Sequence, residues 1–239
     1  MSDNKKVAVI QSNYIPWKGY FDIINEVDEF IIFDEAQYTK NDWRNRNKII
    51  TPNGLRWITI PVRINFLKQK INETMISDPK WYINHLNLLE INYNGSKYFE
   101  AIFGLISSIY SKNLSPYLSE INYEIIIAIC KLLNIQTKIS FSTDYQFEKS
   151  NNRNLHLINL LKCSNATEYI TGPSARSYMN IDYYISANIR VTFKKYGPYP
   201  VYKQLHGNFN DAVSIVDLLF NTGINNAINY IRPKNQSIF

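Results

Sequence analysis

The sequence predicts an α/β protein with a mostly parallel central sheet and flanking helices. Residues 7–11 and 30–33 are short apolar runs, as expected of strands buried on both faces. Between them Trp17, Tyr20, Phe21, Ile24 and Val27 recur at helical spacing. Later strand-like runs at 138–142, 168–171 and 189–193 alternate with helical patterns, as in sheets built from βαβ units.

Strand, polar loop, helix and strand form a βαβ opening over 7–33. A hairpin follows, with residues 47–51 and 55–62 flanking Pro52-Asn53-Gly54, since Asn-Gly is a strong tight-turn signal. Residues 70–76 read as a further strand. The pattern then turns helical over 79–93, 97–111 and 116–133, with Asp78 as N-cap and Pro79 at the first helical position. After the strand at 138–142 come a helix at 155–161 and the strand at 168–171. Following the last strand, a helix over 211–220 stops at Asn221-Thr222-Gly223, with Asn210 or Asp211 placed to cap it. No repeat or linker divides the chain. The expectation is one α/β domain over 1–239 with a helical insertion or lobe at 79–134.

Bulk composition narrows the function classes. The chain has 239 residues, 45% of them hydrophobic, 19% charged and 14% aromatic, which suits a folded domain. A net charge of +6 favours anionic ligands such as nucleotides, yet is modest for a DNA-binding protein, and no DNA partner is expected. Two cysteines make neither a disulfide framework nor a zinc site, and no metal site is expected. The N-terminus lacks a signal peptide's apolar run, and no stretch is long enough to span a membrane. These features point to the cytoplasm. The phosphate loops G-x-x-x-x-G-K-S/T and G-x-G-x-x-G are absent, as are H-E-x-x-H, D-x-D and G-x-S-x-G. His206 and Asp211 match H-x4-D, but Asp211 also stands where a helix cap is needed.

Position along the sheet selects the candidate site residues. Ligands of parallel α/β sheets bind beyond the carboxyl ends of the strands. Gln11, Asn13 and Tyr14 leave the first strand there, and Trp17 and Lys18 open a helix whose N-terminus favours an anion. Asp34 ends the second strand, a place for a carboxylate that binds an ammonium, with Gln37 just beyond. Trp43 could stack on a base or sugar, while Arg44 and Arg46, sharing one strand face by alternation, suit phosphates. Gly172, Ser174 and Arg176 follow another strand and enter a short helix, a second anion site. His85, on a predicted helix, and His206, in a loop, are the candidate bases.

The opening resembles adenylyl-transferring domains that carry an H-x-G-H loop after strand one. Here Pro16-Trp17-Lys18-Gly19 keeps the proline and glycine but neither histidine. Over nearly its whole length the chain resembles the WbqC-like family. The likeness is carried by residues 11–20 (Gln-Ser-Asn-Tyr-Ile-Pro-Trp-Lys-Gly-Tyr), 34–40, 43–47 (Trp-Arg-Asn-Arg-Asn), 51–54, 85–93, 172–174, 202–206 and 214–223. That family is associated with surface-polysaccharide and O-antigen gene clusters, and some members are suggested to transfer glycine or another aminoacyl group to an amino sugar. The resemblance thus implies an N-acyl or aminoacyl transferase whose acceptor is a nucleotide-linked amino sugar. No tightly bound cofactor is expected. The activated donor would be a carrier-protein thioester, a coenzyme A thioester or an aminoacyl-tRNA. Alternatives are an ATP-dependent acyl-adenylate route to the amide, and a non-catalytic subunit that presents the sugar nucleotide. A homo-oligomer is compatible with all three.

Overall fold

The structure, a computed structural model, describes residues 4–112 and 115–232. The first three residues of the segment read above as lacking a signal sequence, and residues 113 and 114 of the helical insertion, lie outside this range. In chain order the strands are β1 (Lys6–Ile10), β2 (Glu29–Ile32), β3 (Arg46–Thr51), β4 (Gly54–Thr59), β5 (Val62–Arg63), β6 (Met75–Ile76), β7 (Lys138–Phe141), β8 (Glu168–Thr171) and β9 (Arg190–Phe193). The helices are α1 (Lys18–Glu26), α2 (Trp81–Tyr93), α3 (Phe99–Lys112), α4 (Leu118–Leu132), α5 (Arg153–Cys163), α6 (Ile181–Ser186), α7 (Ile215–Thr222) and α8 (Ile224–Ile231).

Five parallel strands form the central sheet in the order β7-β2-β1-β8-β9. Counted within the sheet, the order is third, second, first, fourth, fifth. The chain therefore leaves β1 toward β2 on one side and later returns to β8 on the other. Parallel sheets of this order bind ligands in the crevice where the direction reverses. Side chains alternate along β1, and the two faces have separate cores. Ala8, Phe30, Ile32 and Ile170 pack with α1, α7 and helices α2 to α4, while Val7, Val9, Ile31 and Tyr169 pack with α5 and α6. Leu89 of α2, Ile102 of α3 and Ile121 of α4 belong to the same buried cluster as Phe21 and Phe30.

Charged groups pin the sheet at its amino end. The Glu29 carboxylate is buried, accepts from Lys5 Nζ at 2.7 Å and Ser140 Oγ at 2.7 Å, and also bonds Tyr145 and Lys138. Burial alone would raise its pKa; the four donors outweigh that and hold it at about 2.

Several elements differ from the sequence reading. Residues 70–76 hold a 3-10 turn at Ile71–Glu73 before the two-residue β6. Helix α7 starts at Ile215 rather than 211, because Ser214 is the cap and its Oγ accepts from Val216 N at 3.3 Å. Gly223 does stop the helix, with φ of 73°. Helices α6 and α8 were not read from sequence. In α8, Ile224, Ala227, Ile228 and Ile231 have helical spacing, but Asn225, Asn226 and Asn229 dilute the signal with weak helix formers.

Candidate functional site

The loop between β1 and α1 divides its residues into two sets. Ser12, Tyr14 and Ile15 face inward. Ser12 N and Oγ donate to Asp34 at 2.8 and 2.6 Å, and Ser119 Oγ donates to the same carboxylate. Asn122 Nδ2 donates to Ser12 Oγ at 3.0 Å and to the Arg44 carbonyl at 2.8 Å. The Tyr14 hydroxyl meets His85 Nδ1 at 2.7 Å and the Tyr110 hydroxyl at 2.6 Å. Ile15 has φ of 34°, a costly conformation for a β-branched residue. It is held there by Asn47 Nδ2, which donates to the Tyr14 and Ile15 carbonyls at 3.0 and 2.9 Å, and by Ser214 Oγ, which donates to the Ile15 carbonyl at 2.8 Å.

Gln11, Asn13 and Trp17 face outward. They line a crevice of about 800 Å³ at the carboxyl ends of β1 and β8, opposite Arg153, His156, Gly172 and Ser174. That volume is in the usual range for small-ligand sites. Arg44 donates to Asn13 Oδ1, to Gln11 Oε1 at 3.3 Å and to the Ser12 carbonyl at 3.4 Å, tying the two outward amides together. No carboxylate lines the crevice among the described residues, and Arg153 has no ion-pair partner among them. The crevice is thus suited to an anion carried on an apolar or aromatic body. His156 Nδ1 accepts from Ser150 N at 3.3 Å. The neutral ring then carries its proton on Nε2 and acts as a donor.

A second cavity of about 360 Å³ adjoins the first, because Asn13 and Trp17 line both. Pro16, Trp43 and Ala212 give it apolar walls, and Asp211 adds a carboxylate. Asp211 lies 2.5 Å from Lys18 Nζ. Lys18 is buried, with its ammonium near the rings of Tyr199, Tyr202 and Phe209, and burial lowers its pKa despite the Asp211 charge. Gly19 makes room for the shared wall, since a Cβ there would collide with the benzo ring of Trp17.

The other sequence-selected residues fall elsewhere. Asp34 is buried at the end of β2; burial raises its pKa against the pull of its hydroxyl donors. It lines a separate cavity of about 270 Å³ with Glu35 and Glu120. His85 is 4% exposed, and its Nε2 lies 3.1 Å from the Thr59 carbonyl, which requires the proton on Nε2 while Nδ1 accepts from Tyr14. Both nitrogens are thereby occupied, and burial lowers the pKa to about 4. His206 Nε2 bonds the Asn92 carbonyl at 2.8 Å, and the residue lines neither of the two adjoining cavities. Gln37 is exposed and forms an isolated bridge with Lys70. Arg176 stacks on Phe193 at 4.2 Å. Arg44 and Arg46 do not share a strand face as expected. Arg44 sits in the turn before β3 and reaches the loop, whereas Arg46 opens β3 and lies 4.1 Å above Trp57.

Sequence reading missed Arg153 and His156 in the crevice, Asn47 and Asn122 beneath the loop, and the cavity position of Asp211. Among the described residues no group of three or more His, Cys, Asp or Glu could hold a metal ion, and no helix is long and apolar enough to cross a membrane.

Comparison with known proteins agrees with the loop-centred motifs. The profile of the WbqC-like protein family matches residues 11–229. The chain belongs to the WbqC-like protein family. It is also similar to the uncharacterized protein Rv1507c of Mycobacterium tuberculosis (strain ATCC 25618 / H37Rv), at 48% identity over 229 residues, covering 95% of this chain and 98% of that protein. No solved structure matches this WbqC-like chain.

Proposed function

We propose that this WbqC-like protein is a cytoplasmic N-acyl or aminoacyl transferase that forms an amide on a nucleotide-linked amino sugar in surface-polysaccharide synthesis. The observation that carries the reading is the crevice at the β1/β8 reversal, rich in donors and, among the described residues, lined by no carboxylate. Arg153, His156 and Ser174 would bind the diphosphate, and Gln11 and Asn13 the polar edge of the base or sugar. The amine-binding role expected of Asp34 passes to Asp211. Asp34 is enclosed by Ser12 and Ser119, whereas Asp211 lies in the cavity that meets the crevice at Asn13 and Trp17. Amide formation needs the amine, in its neutral form, to meet an activated carbonyl at that junction with water displaced, its proton leaving with the departing group or to solvent.

Incubation with an acyl or glycyl thioester and a panel of UDP- and dTDP-linked amino sugars, followed by mass spectrometry, tests this. An amide product that needs both substrates is expected. No product with any pair would refute transfer. The same crevice favours one other reading, since its place in the sheet also suits ATP. Release of AMP and pyrophosphate dependent on an amino acid, without a thioester, would select acyl-adenylate formation.

A further inference from the structure

We infer that the second cavity receives the phosphopantetheine arm of the acyl donor, with its phosphate held by Arg46 and Lys48 at the rim. This rests on the transferase reading above and names the donor chemistry of the same site.

The cavity is a slot with apolar walls and few polar groups. Asn47 is already engaged, its Nδ2 on the loop carbonyls and its Oδ1 on Lys48 N at 2.8 Å. Asn13 Oδ1 accepts from Arg44 and Asp211 Oδ1 pairs with Lys18, which leaves the Asn13 amide nitrogen and the other Asp211 oxygen to meet a ligand's amides. An arm of alkyl segments and two amides fits that pattern, and a polyanion does not.

The rim has the opposite character. Trp43 and Trp57 are 39% and 38% exposed, with ring centroids 5.1 Å apart. Lys48 Nζ lies 4.9 Å from the Trp57 ring and 5.9 Å from that of Trp43, and the Arg46 guanidinium covers Trp57. Among the described residues neither cation has an ion-pair partner; the Arg46 Nη atoms donate to Asn41, to its Oδ1 at 3.2 Å and to its carbonyl, so no carboxylate neutralises the guanidinium. Trp43 also forms a wall of the slot, so rim and slot are continuous. Two cations without carboxylate partners, joined to an apolar slot through Trp43, match a ligand with a phosphate at one end and a neutral arm at the other.

The slot also reaches Asn13 and Trp17, where it meets the crevice. There the acceptor amine nitrogen attacks the thioester carbonyl carbon. A C–N bond forms, the C–S bond breaks, and the thiol leaves with the proton the amine gives up.

Calorimetric titration with 4′-phosphopantetheine, pantetheine, coenzyme A and a holo-acyl carrier protein tests this. Binding of 4′-phosphopantetheine is expected, with pantetheine weaker by about tenfold or more for want of the charged contacts. Trp43→Ala and Lys48→Glu should each weaken binding about tenfold, and Lys48→Glu should leave nucleotide-sugar affinity unchanged. Coenzyme A in competition with 4′-phosphopantetheine would identify a free thioester as the source; holo-carrier binding without coenzyme A binding would identify a carrier protein. Either supports the inference. It is overturned if none of the arm-bearing probes binds, if binding ignores both substitutions, or if an RNA acceptor-stem helix binds through Trp43 and Lys48 and the arm does not. Arm binding in a protein that binds no nucleotide sugar would refute the acceptor reading alone.

Discussion

At the carboxyl edge of the sheet, the β2 side and the β1/β8 side carry equally polar sequences but put them to different uses. Beside β2, the side chains of Asp34, Ser12, Ser119 and Asn122 hydrogen-bond one another in the interior. Between β1 and β8, Gln11, Asn13, Arg153 and Ser174 face open space. The first group fixes the shape of the loop and the second presents it. A carboxylate at a strand end is therefore no sufficient sign of a site, because its neighbours decide whether it is enclosed.

The sharpest way to break the comparison is Asp34→Ala. It would leave two hydroxyls and a backbone N–H without their acceptor, so a stability loss of about 3 kcal/mol in denaturant unfolding is expected, along with loss of crevice binding. Unchanged stability would mean the network does not hold the loop.

His85 gives a pH test of the enclosed side. Its folded pKa lies at about 4, below the ordinary value of 6.5. The unfolded chain therefore binds the extra proton first, and stability falls as pH drops from about 6.5 toward 4, by about 3 kcal/mol. His85→Asn should flatten that limb of the unfolding profile. Glu29 acts in a lower window, because its pKa is depressed to about 2. Its contribution is complete above about 4.5, the ordinary carboxylate value, and declines below it.

On the open side the expected effects move from stability to affinity. Arg153→Ala should weaken binding of a nucleotide-linked ligand about tenfold, with unfolding free energy changed by less than about 0.5 kcal/mol. Gly19→Ala should displace the Trp17 ring, seen as a shift in tryptophan emission, and weaken ligands of both cavities about threefold. Gln37→Ala and Arg176→Ala should change neither stability nor affinity beyond about 0.5 kcal/mol, since neither residue faces the cavities.

Much of this edge was legible in the sequence. Strand ends are readable from apolar runs, and the rule that ligands gather there selected Gln11, Asn13, Trp17, Gly172 and Ser174, all of which line the crevice. The inward half of the loop was not legible, because Ser12 and Tyr14 find their partners at Ser119, Asn122 and His85, on helices remote in sequence. Arg153 and His156 were missed for the same reason. They open a helix that meets β1 only through the fold, about 140 residues away. Asp211 was read as a cap because a polar residue before an apolar run usually is one. Ser214, three residues on, takes that role and leaves Asp211 to pair with Lys18.

The most direct test of the central claim is calorimetric titration of UDP- and dTDP-linked amino sugars into the wild-type protein and Arg153→Ala. Saturable one-to-one binding to the wild type, about tenfold weaker in the variant with unfolding unchanged, is the predicted result. Equal affinity in both proteins, or no binding by the wild type, would contradict it.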